Sequence, residues 1–241
     1  MAKKAPDKPE DIFPELITDL SNALGTDLHG VCLFGSAARG AYVKGRSDIN
    51  LLVVVAEEAK ATASRLSGFY RKWAPAGLAA PLVMNKAYIA TSLDVFPLEL
   101  MTMAAAHKCI HGEDPLEGLV IDDRRLRLQL EREVKAKLMA LQGRLIACGG
   151  DEKELRHSVI EAAPAMTAIL QGCLKLFTGA YPLDRQEVLE RAETAGLPVE
   201  SFRRMAAVRA GRLSPKAKEL TELLEWAVEQ LGQLGQRLDQ M

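Results

Sequence analysis

Apolar residues recur along this chain with two different periods, and the change between them divides it. From Asp11 the pattern is helical: Ile12, Leu16, Ile17, Leu20 and Leu24 fall on one face, and Gly25 stops the run. Two short apolar runs follow, Val31 to Phe34 and the β-branched Ile49 to Val55, and both predict strands. Between them Gly35-Ser36 breaks the run, and Ala37-Ala38-Arg39 is compatible with the first turn of a helix. Glu57 to Trp73 predicts a helix with Ala63, Leu66, Phe69, Tyr70 and Trp73 on one side, closed by Pro75-Ala76-Gly77. Pro81 to Met84 predicts a third strand, Lys86 to Asp94 a short helix and Phe96 to Met103 a fourth strand. Lys108 to His111 predicts a fifth, before the Gly112-Glu113-Asp114-Pro115 turn. Strands mixed with helices in this way imply a small sheet domain.

Beyond Pro115 the period is helical throughout. Asp122 to Cys148 carries Leu126, Leu130, Val134, Leu138, Leu141 and Leu145 at three- and four-residue steps, and Gly149-Gly150 ends it. Asp151 suits the cap of a next helix running to Phe177, with Pro164 inside to kink or split it. Gln186 to Ala195 and Val199 to Ala210 predict two more, each followed by glycine, and Ser214-Pro215 opens the last as cap and first position. Along that last helix Leu220, Leu224, Ala227, Leu231, Leu234 and Leu238 form a heptad seam, of a length more usual in a bundle than in a coiled coil. The fold class expected is α+β: a mixed sheet flanked by helices over residues 1–118, then an all-helical bundle of about five helices over 119–241.

Composition narrows the function classes. The 48% apolar and 26% charged residues are those of an ordinary globular protein, and a net charge of −1 argues against a broad nucleic-acid footprint. The N-terminus MAKKAPDKPED lacks the apolar core of a signal peptide, and no stretch looks like a membrane span of ~18 apolar residues. Cys32, Cys109, Cys148 and Cys173 form no C-x-x-C pair, so free thiols in a reduced, cytoplasmic setting are expected.

The chemistry centres on residues 28–56. Asp48 and Asn50 lie two apart at the mouth of the second strand, so both face where Ser36 emerges. A Gly-Ser turn offers backbone N–H groups to a phosphate, and a facing carboxylate can hold the magnesium ion of a nucleoside triphosphate. The plainer readings are an ordinary turn for Gly35-Ser36 and a strand cap or an Arg46 partner for Asp48. Glu99 sits in an apolar run, where a charge must be paired or bound to metal. Of the loop cations Arg39, Lys44 and Arg46, Arg39 is best placed to fork onto phosphate oxygens. His107, Cys109 and His111 alternate on a strand and share a face, but three such groups with no evident fourth read as structural. His157 reads as packed or solvated. Arg124-Arg125-Arg127 and Arg203-Arg204 read as solvated helix faces, or as an entrance for an anionic partner.

Gly35-Ser36, eleven residues, then Asp48-Ile49-Asn50-Leu51 resembles the signature of the polymerase-beta-like nucleotidyltransferase superfamily. Ser92-Leu93-Asp94-Val95-Phe96-Pro97-Leu98-Glu99-Leu100 and the run HGEDP resemble its bacterial branch, which includes aminoglycoside adenylyltransferases. The resemblance covers about the first half of the chain. It implies transfer of a nucleoside monophosphate from a triphosphate to an acceptor hydroxyl, on a small molecule or a protein, with two magnesium ions. It further implies Gly35, Ser36, Arg39 and Lys44 at the nucleotide, Asp48 and Asn50 on the metals, and Glu99 as metal ligand or base. Thr102 is the other position that can correspond to the family's third carboxylate. In the family the helical half shapes the acceptor pocket, often across a homodimer. One departure stands out: Asn50 occupies the place of the second metal carboxylate. Two readings of it stand, a neutral ligand in a weakened enzyme, or a nucleotide- or partner-binding module without catalysis.

Overall fold

The structure, a computed structural model, describes residues 3–241, which form two compact units dividing between Asp122 and Asp123. The first is α+β, with helices α1 (Phe13–Leu24), α2 (Thr62–Trp73), α3 (Lys86–Ser92) and α4 (Pro97–Ala105) around one sheet. Its strands are β1 (Leu28–Phe34), β2 (Asn50–Val55), β3 (Leu82–Met84) and β4 (His107–Gly112), in the order β3-β2-β1-β4. β1 runs antiparallel to β2 and to β4, while β2 and β3 are parallel, so the sheet is mixed.

Alternation along the strands decides what each face buries. Val31, Leu33, Ile49, Leu51 and Val53 pack with Leu16, Leu20 and Leu24 of α1 and with Leu66, Phe69 and Trp73 of α2. Cys32, Leu52 and Val54 point the other way, onto Ile89 of α3, Leu100 and Met103 of α4, and Leu116. Leu119 and Ile121 pack against that second core, which is why the first unit continues to Asp122. Both faces of β2 are covered, and its unbroken apolar run is the consequence.

One predicted strand is a helix. Phe96 to Met103 lies within and just before α4, and Pro97, Leu98, Leu100, Met101 and Met103 are buried. A short apolar run suits a buried strand and a buried helix equally. Pro97 decides it, because its fixed φ suits the first position of a helix, and the residues after it are good helix formers. The Thr102 hydroxyl donates to the Leu98 carbonyl at 2.7 Å, a bond to the preceding turn that only a helix allows. α2 begins at Thr62, five residues later than the pattern suggests, after Ala61 takes a left-handed φ of 53°.

The second unit holds α5 (Asp123–Cys148), α6 (Glu152–Thr178), α7 (Arg185–Thr194), α8 (Glu200–Arg209) and α9 (Ala217–Asp239). α6 is central, packing on the other four. By length and composition it is apolar enough to cross a membrane, with half of its most apolar window buried inside the unit. The seam leucines of α9 are all buried, as a bundle helix requires. Two details differ from expectation. α9 starts at Ala217 with Lys216 as its cap, rather than at Ser214-Pro215. Pro164 does not split α6: the Ile160 carbonyl it deprives of a helical donor accepts from Arg209 Nη1 at 3.0 Å.

Candidate active site

Antiparallel pairing of β1 with β2 sets Phe34 opposite Asn50, so the chain leaves β1 at Gly35 beside the start of β2. Gly35 has φ +77°, a conformation that favours glycine, and its N–H donates to the Ala106 carbonyl at 2.9 Å. A Cβ built on Gly35 would stand 3.5 Å from Asn50 Nδ2, so the Asn50 amide lies against this corner.

No helix follows the corner. Residues 35–40 are a succession of turns, held by Arg39 N–H to Gly35 O (3.4 Å), Gly40 N–H to Ala37 O (3.5 Å) and Ala41 N–H to Ser36 O (2.9 Å). Ala37 is tucked into the core and Gly40, at φ +73°, turns the chain away before a second helical turn can form. The expected helix over Ala37–Arg39 is therefore a single irregular turn. Among the described residues nothing accepts from the N–H groups of Ser36, Ala37 and Ala38. Successive unpartnered N–H groups in a turn form a concavity suited to an anion, with no helix dipole needed.

The acidic lip is on the neighbouring strand. Ile49 bridges to Leu78, donates to the Gly77 carbonyl at 2.8 Å and is fully buried in the α1/α2 core. Asn50 opens β2 on the face opposite Ile49, and Asp48 lies just before the strand, on the other side of Ile49 in the chain. Asp48 is exposed, and among the described residues its carboxylate has neither an ion pair nor a hydrogen bond. Arg46 is thus not its partner.

The remaining expected residues are placed differently. Glu99 is not on a strand: it stands exposed in the first turn of α4, a helix that packs on the same sheet face as Asn50. Lys44 is committed to Asp7, its Nζ 2.7 Å from the carboxylate, and that hydrogen bond and charge raise the lysine's pKa. Arg39 is exposed and already engaged within the protein. The structure therefore sets Gly35 against Asn50 at one corner, with Ser36 next in the chain after the first and Asp48 two residues before the second. As a donor set, one carboxylate and one amide oxygen fit a single magnesium ion arriving with its own phosphates and waters, rather than a pair.

His107 and Cys109 do share a face, but a bulge in the β1/β4 pairing sends His111 elsewhere, exposed. Their neighbours are instead Cys32, paired with Cys109 across the strands, and Asp114, 3.0 Å from His107 Nε2. Neither partner was visible as such in the sequence, because nothing local says that β1 and β4 are adjacent.

In the helical unit a cavity of about 630 Å³ is lined by Arg185, Arg203, Arg204 and Arg212, with Asp184 and Glu200 opposing them. Arg203 is paired with Glu193 and Glu200.

Residues 15–137 match the family model of the nucleotidyltransferase domain. Among solved structures the chain is similar to spectinomycin adenyltransferase from Enterococcus faecialis, determined with ATP and spectinomycin. The two are 14% identical with a TM-score of 0.57, over 94% of this chain and 100% of that one, a likeness of fold. No curated protein matches the sequence.

Proposed function

Because this chain belongs to the nucleotidyltransferase domain family, we propose that it transfers a nucleoside monophosphate from a nucleoside triphosphate to an acceptor hydroxyl. The observation that carries this reading is the corner itself: among the described residues the N–H groups of Ser36–Ala38 and the carboxylate of Asp48 have no partner, and the Asn50 amide lies against Gly35. The turn and the Ser36 hydroxyl hold the terminal phosphates, fixing the triphosphate against the end of β1. Asp48, with the amide oxygen of Asn50, would hold magnesium, which supplies charge neutralisation on the phosphates. Phosphoryl transfer rests on positioning and on that neutralisation. Asn50 brings no negative charge, so turnover is slow while nucleotide binding is retained.

Asn50 also favours a second reading, a nucleotide-responsive module without transfer; Glu99, exposed on a helix, points the same way. For the acceptor, the arginines of the helical-unit cavity disfavour a polycation there and favour a neutral or anionic molecule.

The test is incubation with triphosphates labelled at the α-phosphate, magnesium or manganese, and neutral, anionic and aminoglycoside acceptors. Label transfer that is lost in Asp48→Ala and raised in Asn50→Asp supports the enzyme. Thermal stabilisation by nucleotide with no transfer, even in Asn50→Asp, supports the module. No effect of any nucleotide on stability or chemistry overturns both.

A further inference from the structure

We propose that Cys32, Cys109 and Asp114 form a binding site for one soft divalent cation of the zinc type, with His107 as the positioning residue of the carboxylate. The site lies on β1, β4 and the turn that follows, and it is chemically distinct from the oxygen-donor lip at Asp48.

Topology assembles it from three distant places. The β1/β4 register pairs Cys32 with Cys109, so two thiols leave neighbouring strands on one face. After β4 the chain folds back over β1, where Glu113 N–H donates to the His29 carbonyl at 2.9 Å. That crossing sets Asp114 over the thiols. The two sulfurs and a carboxylate oxygen all lie within 4.8 Å of one another. Tetrahedral zinc, with bonds of about 2.3 Å to sulfur and 2.0–2.2 Å to oxygen, spaces such donors about 3.6–3.8 Å apart. A contraction of roughly an ångström, taken up by side-chain torsions, would close the site.

Donor type sets the preference. Two thiolates select zinc, or cobalt as its spectroscopic substitute, over magnesium and calcium. Cys32 is fully buried, while Cys109 and Asp114 are only partly so, which closes the site from behind and leaves one approach from solvent. The fourth position faces that approach and takes water. His107 Nε2 sits 3.0 and 3.1 Å from the two Asp114 oxygens, and its Nδ1 sits 2.7 Å from the Ala104 carbonyl. The ring contact at Asp114 holds the carboxylate in place, as outer partners of metal ligands do. In this structure Cys109 Sγ lies 3.5 Å from the carbonyls of His111 and Gly112, and Cys32 Sγ lies 3.9 Å from Asp114 Oδ1. Because cysteine ligates as the thiolate, binding releases the two thiol protons to solvent, one from each sulfur, and leaves the cluster with a net charge of −1.

The test uses the full chain, stripped with chelator and kept reduced by a non-thiol reductant, then titrated with cobalt(II) alone. The expected result is one equivalent bound, with sulfur-to-cobalt charge-transfer absorption and displacement by one equivalent of zinc. Zinc binding in weak buffer should release two protons per chain. Cys109→Ser loses most of the charge-transfer band, whereas Cys148→Ser and Cys173→Ser, in the helical unit, leave it unchanged. His107→Gln keeps the spectrum but weakens zinc by about 10–100-fold. Should Cys32→Ser fail to fold, Cys109→Ser and the proton count still decide. Absence of the charge-transfer band in the wild-type chain overturns the proposal, as does a band indifferent to Cys109→Ser. So does finding only a Cys32–Cys109 disulfide in air, with no metal uptake when reduced.

Discussion

Replacing Gly30 by alanine should separate close backbone packing from ordinary strand propensity. Gly30 lies in β1 where the turn after β4 crosses over it, and a Cβ there would meet the Glu113 carbonyl oxygen at 2.3 Å. The Glu113 nitrogen and carbonyl carbon would lie at 3.1 and 3.2 Å, so the obstruction is backbone and cannot rotate away. Relief requires the Glu113 peptide to move by about an ångström, which strains the crossing by about 1–3 kcal/mol. The same movement breaks the Glu113 N–H to His29 carbonyl bond, worth about 1 kcal/mol. Gly30→Ala should therefore destabilise the first unit by about 2–4 kcal/mol. Gly68→Ala is the control: it sits in α2 with nothing within 4 Å of its Cβ, and should stabilise by about 0.5–1 kcal/mol. Urea unfolding followed by the emission of buried Trp73, in a Trp226→Phe background, measures both. If Gly30→Ala matches the wild type or Gly68→Ala, the close crossing of Glu113 over β1 is wrong.

Three further outcomes follow from individual contacts. Burial acts to raise the Asp19 pKa, but hydrogen bonds from Lys72 and Trp73 and the charges of Lys72 and Lys3 outweigh it and hold the carboxyl below 3.8. Its contribution is thus complete above the unfolded pKa and lost as pH falls through the lower folded one, so the stability gap between wild type and Asp19→Asn should shrink below about pH 4; a constant gap in acid unfolding refutes this. Burial pushes the Cys173 thiol up to about 12. At about pH 8 iodoacetamide should modify partly exposed Cys148 in the native chain and reach Cys173 only in urea, as read by peptide mass; equal rates would contradict it. In a double-mutant cycle, Arg209→Ala should cost about 1 kcal/mol in the wild type and less in a Pro164→Ala background, where residue 164 regains an N–H for the Ile160 carbonyl. Equal costs in the two backgrounds would mean that Arg209 does not serve that carbonyl.

Local pattern alone determined a good deal of this protein. Leu16, Leu20 and Leu24 specify α1, and the leucine steps of α9 specify its buried face, because a helix repeats its environment every 3.6 residues. The side-chain alternation that sets Asn50 on the face opposite Ile49 is likewise a property of any extended segment. Tertiary structure decided the rest, wherever the determining partner is remote in sequence or a short run fits two periods. Phe96 to Met103 is such a run, and the helix beginning at Pro97 takes Glu99 off the strand expected to carry it. Lys44 looks available at the corner until Asp7, 37 residues earlier, is found holding it. Cys32 and Asp114, 82 residues apart, meet only because β4 pairs with β1 and the following turn crosses back over it. No period or propensity records such an adjacency, since strand pairing across long loops is chosen by the whole sheet and its two cores rather than by either strand.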